Sequence, residues 1–168
     1  MSAASYVNSY YANTLNLELD FPVLTGEHEC DICVVGGGFT GLSSAIHLVK
    51  KGYKVILLEG DKVGWGASGR NGGQAIIGYN NGIGMLEQRF GLDDTREYLE
   101  FVLEGCQIIQ EFVDEFAIEC DFKPGHAGLA TCQRQLDSMY HEQDVWARCG
   151  HDDLTIKAGL DAVHQMVG

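Results

Sequence analysis

The run Gly36-Gly37-Gly38-Phe39-Thr40-Gly41 directly follows the apolar stretch Asp31-Ile-Cys-Val-Val35 and fits the pattern G-x-G-x-x-G. Each glycine has a physical task if this is a strand-to-helix turn that receives a phosphate. Gly36 permits the tight turn, Gly38 lets the backbone approach a pyrophosphate, and Gly41 allows the helix to pack closely on the strand. Phosphate oxygens would then meet free N–H groups of the first helical turn and the positive end of the helix dipole. Glu59, at the end of the next apolar run, has the chemistry to accept hydrogen bonds from both hydroxyls of an adenosine ribose. The same carboxylate would repel a 2′-phosphate, which speaks against NADP.

This first loop does not choose between NAD and FAD, because the two share the half-molecule it would grip. A second glycine run helps to decide. Gly64-Trp-Gly-Ala-Ser-Gly-Arg-Asn-Gly-Gly-Gln74 begins five residues after Glu59, too soon for another helix of the usual nicotinamide fold. It is rich in N–H donors and adds Ser68, Arg70 and Asn71, so it can follow a pyrophosphate and ribityl chain towards a flavin ring. Its large side chains distinguish it from a flexible linker, which would be Gly- and Ser-rich without them.

The elements that must position these loops follow from local pattern. Residues 31–35 and 54–58 are short, β-branched, apolar runs of the kind expected for strands buried on both faces of a parallel sheet. Between them the spacing predicts a helix over 40–51, with Leu42, Ala45, Ile46, Leu48 and Val49 on its apolar side and Gly52 as its stop. This is a strand, helix, strand unit, whose crossover is right-handed by rule. From Gly60 to Gly84 glycine is too dense for a regular element to run far. After Gly91 the texture becomes helical. Asp94 and Glu97 offer a capping box, and Leu99, Val102, Cys106, Ile109, Val113 and Phe116 recur at helical spacing. Gly128 to Cys132 reads as a short strand, and 133–148 as an amphipathic helix with Leu136, Met139, Tyr140 and Trp146 partly buried. Residues 154–168 read as the beginning of another helix, with no tail composition to mark an end. Residues 1–29, with Tyr6, Tyr10, Tyr11 and Pro22, read as an irregular arm packed on the body. The expected organisation is therefore an arm (1–29), a dinucleotide-binding unit with its second glycine loop (30–90), and a helical region that opens a substrate domain and breaks off (91–168).

Together, residues 31–59 and the run Val63-Gly-Trp-Gly-Ala-Ser-Gly-Arg-Asn-Gly-Gly-Gln74 resemble the N-terminal signature of the D-amino-acid oxidase family of FAD-dependent oxidoreductases. Within that family the chain is most similar to the gamma-glutamylputrescine oxidoreductase group, whose members tend to carry an arm like Ser9-Tyr10-Tyr11. The likeness is strong through Gln74 and looser beyond, at Cys120-Asp121-Phe122 and Gly128 to Thr131. It implies an α/β fold: the N-terminal part of a Rossmann-like FAD-binding domain with a parallel βαβ unit, followed by mainly helical segments and expected to be incomplete. By the same resemblance Gly36, Gly38, Phe39, Thr40, Gly41 and Glu59 would hold the ADP half of FAD. Gly66, Ala67, Ser68, Arg70, Asn71, Gly72, Gly73 and Gln74 would line its middle and the flavin edge. Some relatives attach flavin through a His or Cys; this loop has Arg70 and Asn71 there, so non-covalent FAD is expected. The implied reaction is oxidation of an amine C–N bond, with dioxygen as electron acceptor and hydrogen peroxide as product. A gamma-glutamylated polyamine is the first substrate candidate and a secondary or alpha-amino acid such as sarcosine or glycine the second. A third reading is a non-catalytic, truncated dinucleotide-binding fragment, and no catalytic residue is assigned.

Composition narrows the partners. Among 168 residues the formal net charge is -13, so attraction to nucleic acid or anionic lipid is disfavoured. No apolar run approaches the ~18 to 20 residues that span a bilayer, and the first residues lack a signal-peptide pattern, so a cytoplasmic location is expected. The six cysteines then read as reduced thiols. Cys30 and Cys33 have no further Cys or His at ligand spacing, and the six histidines show no H-x-x-x-H pattern, so no metal is expected. No G-x-S-x-G elbow or Walker-type lysine supports a hydrolase or phosphotransferase.

Overall fold

The computed structural model describes residues 6–17, 19–80, 82–157 and 159. The chain divides into two compact units, the first ending at Gln74 and the second starting at Ala75.

In the first unit, strands β1 (Ile32–Val35) and β2 (Val55–Leu58) flank helix α2 (Phe39–Lys50), and a short helix α1 (Tyr10–Asn13) lies in the arm. The strands pair in parallel, with Ile32 opposite Val55 and Val35 opposite Leu58. Parallel pairing follows from the intervening helix, because a tight turn can only reverse the chain. Asp31 sets the start of the register: its carboxylate Oδ2 accepts from the Lys54 N–H at 2.8 Å, while its own N–H donates to the Lys54 carbonyl at 2.9 Å. Helix α2 ends as expected at Gly52. There φ is +89°, Gly52 N–H reaches Val49 O at 2.9 Å, and Tyr53 N–H reaches Leu48 O at 3.1 Å. This pair of bonds satisfies two terminal carbonyls and needs a residue that tolerates left-handed backbone.

Burial of the strands differs from the expectation. Ile32 and Val34 are half-buried, whereas Cys33 and Val35 are exposed, Val35 at 83%. A single helix can cover only one face of this two-stranded sheet, and the alternation of side chains along β1 leaves the other face open. The arm also contains more order than expected. Ser9 caps α1 by accepting from the Ala12 N–H at 3.2 Å.

The second unit is built from α3 (Ile83–Phe90), α4 (Leu92–Glu115) and α5 (Gln133–Arg148), around Ile83, Leu99, Val145, Trp146 and Cys149. The boundaries expected for α5 are reproduced, and Leu136 and Met139 are half-buried, but Tyr140 is exposed. Val145 and Cys149 carry the burial instead. Three other expectations are corrected. Helix α4 is capped by Gly91, not by Asp94: α3 and α4 abut at this glycine, at φ +85°, so Asp93 and Asp94 already lie in the first turn. Their charges there favour the helix dipole rather than close a capping box. The core-facing stripe of α4 is Leu92, Thr95, Leu99 and Leu103, while Ile109 and Phe116 stay exposed. The apolar period continues along the helix past the core cluster, and Val102, Cys106 and Val113 are only half-buried among the described residues. Gly128 to Cys132 is not a strand. The Thr131 N–H that a ladder would use donates instead to Gln135 Oε1 at 2.7 Å, at the start of α5. Of the helix expected over 154–168, residues 154–157 are irregular, and 158 and 160–168 lie outside the described residues.

Candidate dinucleotide site

The glycine turn between β1 and α2 is held peptide by peptide. Gly36 N–H donates to Leu58 O at 2.7 Å, extending the sheet ladder into the turn. Gly36 then takes φ +104°, a conformation that glycine adopts without steric cost. Gly37 N–H donates to Glu59 Oε2 at 2.6 Å, and Gly37 O accepts from Gly64 N–H at 2.9 Å. The peptide bonds are trans, so holding the Gly37 carbonyl also sets the direction of the Gly38 N–H on the opposite side of the same plane. The expected task of Gly41 is visible directly: a Cβ there would sit 1.9 Å from Gly36 O. The helix rests on the turn at a distance only glycine allows.

The second glycine loop folds over the first. After Gly64, a single 3-10 turn (Ala67–Gly69) brings the Ser68 hydroxyl to the start of α2, where its Oγ accepts from Phe39 N–H at 3.0 Å. A Cβ on Gly38 would lie 2.8 Å from the same Oγ, so Gly38 is small for the sake of Ser68 as well as of any ligand. Ser68 thus occupies one of the orphan donors at the helix N-terminus and still has its own proton to donate. The remaining N–H groups of the first turn make up the positive end of the helix dipole, and Thr40 is exposed beside them. Phe39 itself is 65% exposed.

Glu59 is exposed at the end of β2, with Oε2 on Gly37 N–H and Oε1 on Asp61 N–H at 3.1 Å. The bond from Gly37, then that from Asp61, holds its carboxyl below the ordinary carboxylate range. It is therefore an anion at neutral pH. A carboxylate has about four lone-pair positions, so both oxygens can still accept from ribose hydroxyls. The donor set fits the ADP half of a dinucleotide: backbone N–H groups and a helix terminus for phosphate, beside a carboxylate for ribose.

The structure brings Gly36, Gly38, Phe39, Thr40, Gly41, Glu59 and Ser68 together. Gly66 and Ala67 are exposed on the turn that carries Ser68. The remaining expected residues are shaped within their own loop. Arg70 Nε donates to Trp65 O at 2.9 Å and its guanidinium lies over the indole, 4.2 Å from the ring centroid. Asn71 Nδ2 donates to Ser68 O at 2.8 Å, and Asn71 Oδ1 accepts from Gly73 N–H at 2.7 Å. Gly72, Gly73 and Gln74 continue as exposed, irregular chain. Gly37 was absent from the expected set although it is the most constrained member of the turn. The three consecutive glycines were its signal.

The comparisons with known proteins agree with this geometry. Residues 31–166 match the family model described as FAD dependent oxidoreductase. The chain is 40% identical over 157 residues to gamma-glutamylputrescine oxidoreductase of Escherichia coli (strain K12), covering 94% of this chain and 36% of that protein. It is 45% identical over 152 residues to the probable oxidoreductase OrdL of Haemophilus influenzae, covering 90% of this chain and 35% of that protein. The chain thus spans about a third of the length of these relatives. No solved structure matches it. With a glycine turn, a facing carboxylate and a family model covering most of its length, the chain belongs to the FAD-dependent oxidoreductase family.

Proposed function

We propose that this chain forms the ADP-binding part of a flavoenzyme that oxidises an amine C–N bond. The carrying observation is the double pinning of the Gly37 peptide groups, by Glu59 on one side and Gly64 on the other, which joins both glycine loops into one cradle. In this reading Gly36, Gly38, Thr40 and Gly41 present the turn to the pyrophosphate and Glu59 receives the ribose. Ser68 turns its hydroxyl proton towards the phosphates, and Gly66 to Gln74 continue along the cofactor towards its flavin end. Bound FAD would supply the hydride-accepting chemistry. The chain's own contribution is to hold it in a fixed place. Attachment is non-covalent, since the loop carries Arg70 and Asn71 rather than a His or Cys.

The substrate reading is a gamma-glutamylated polyamine, supported by the 40% identity to a protein of that name, with a sarcosine- or glycine-type amino acid as the alternative. Oxidation to the imine, hydrolysis to the aldehyde and release of hydrogen peroxide with dioxygen as acceptor complete the proposal, in a cytoplasmic setting. Purified intact protein should carry about one flavin per chain by its visible absorbance. It should release peroxide with gamma-glutamylputrescine faster than with sarcosine or glycine. Absence of turnover with every amine would overturn the oxidase reading.

A second reading, favoured by the open face of the sheet at Cys33 and Val35, is that residues 1–168 by themselves hold the ADP moiety without turnover. It predicts that this chain alone is tightened by ADP and by FAD to a similar degree.

A further inference from the structure

The arm is fastened to the second glycine loop through a peptide group that also holds the first. Tyr6 Oη donates to Val63 O at 2.8 Å, across 57 residues of sequence. That carbonyl belongs to the same peptide plane as the Gly64 N–H, which donates to Gly37 O at 2.9 Å. One planar group therefore accepts from the arm on one edge and donates to the phosphate turn on the other. Donation to a carbonyl polarises its amide and strengthens the bond that the amide N–H makes in turn. Around this bond, Lys62 lies over the Tyr6 ring, its Nζ 5.5 Å from the centroid. Tyr11 and Leu15 of the arm line a recess against Trp65 and Arg70. The arm is thus packed, not merely adjacent, where the loop leaves Glu59 for Ser68.

We infer that Tyr6 is a positioning residue for the cofactor: through the Val63-Gly64 peptide it fixes the Gly37 carbonyl, and with it the Gly38 N–H that addresses the pyrophosphate. This rests on the FAD-binding reading above. It gives the arm a role in cofactor retention that neither glycine loop displays alone. The relevant group is the hydroxyl, since the ring can keep its packing against Lys62 without it.

Tyr6→Phe in the intact protein isolates that group. Apoprotein titrated with FAD, followed by quenching of flavin fluorescence, should show a dissociation constant raised roughly three- to tenfold, the worth of about one hydrogen bond. The visible circular dichroism of the bound flavin should shift, because the pyrophosphate seat has moved. The far-ultraviolet circular dichroism of Tyr6→Phe should equal that of the parent, which separates positioning from loss of fold. Tyr6→Ala should weaken FAD binding further, by loss of the ring contact. If the parent binds FAD and Tyr6→Phe binds it equally tightly with an unchanged flavin spectrum, the inference is wrong while the FAD reading stands. If the parent itself takes up no FAD, the cofactor reading fails and this inference with it.

Discussion

Replacing Gly41 by alanine would place a Cβ 1.9 Å from the carbonyl oxygen of Gly36 and 3.0 Å from its carbon. The first separation is far inside any tolerated contact, and both partners are backbone. No rotamer change can relieve it. Helix α2 must retreat until the Cβ to oxygen distance reaches at least 3.0 Å, or the turn at Gly36 must open. Overpacking of this kind costs about 1 to 3 kcal/mol of stability. The effect on the cofactor is larger than the effect on the fold, because the same displacement carries the first-turn N–H groups away from the turn they share with Gly38. Loss of two charge-assisted hydrogen bonds, at about 1.5 kcal/mol each, amounts to about 3 kcal/mol, or a factor of about a hundred in affinity. The assay is titration of Gly41→Ala apoprotein with FAD by flavin fluorescence, with urea unfolding in parallel. Gly105→Ala, at a position with nothing within 4 Å, is the control. FAD affinity within about twofold of the parent would refute the claim that the helix is seated on the turn by this glycine.

The control carries its own prediction. Gly105 lies inside α4 in open space, so Gly105→Ala should raise the urea midpoint, by about 0.5 to 1 kcal/mol of backbone entropy, without altering flavin binding. For Glu59 the expected outcome concerns pH. Its carboxyl is held below the ordinary value of 4.5 in the folded chain, chiefly by the Gly37 N–H and then by Asp61. The folded state therefore favours the anion, and this contribution is fully present above the unfolded pKa. It is lost as pH falls through the lowered folded value. Urea midpoints measured from neutral pH downward should lose this component in the acid range, and Glu59→Gln should lack it. Parallel curves for parent and variant would show that the Gly37 bond does not couple to protonation.

Much of the first unit was legible in the residues because its causes are local. A β-branched run, a triple glycine and an apolar helical period each act within a few residues. Strand, turn, helix and strand therefore appear close to their expected places, and Gly52 ends α2 by the left-handed backbone that its position requires. Where local pattern outran its partner, the reading went astray. The apolar period along α4 is real, but only the part that meets α3 and α5 is buried. Gly128 to Cys132 has strand-like composition, but among the described residues it pairs with no strand.

The sequence by itself determined the chemistry on offer: a phosphate-sized turn, a facing carboxylate and a second loop rich in donors. Only the tertiary structure decided which donor meets which acceptor. Ser68 finds Phe39, Gly64 finds Gly37, and Tyr6 finds Val63, across 29, 27 and 57 residues respectively. The physical reason is that a hydrogen bond between distant residues depends on the path by which the chain returns. That path is set by packing of whole elements rather than by the types of the two residues that meet.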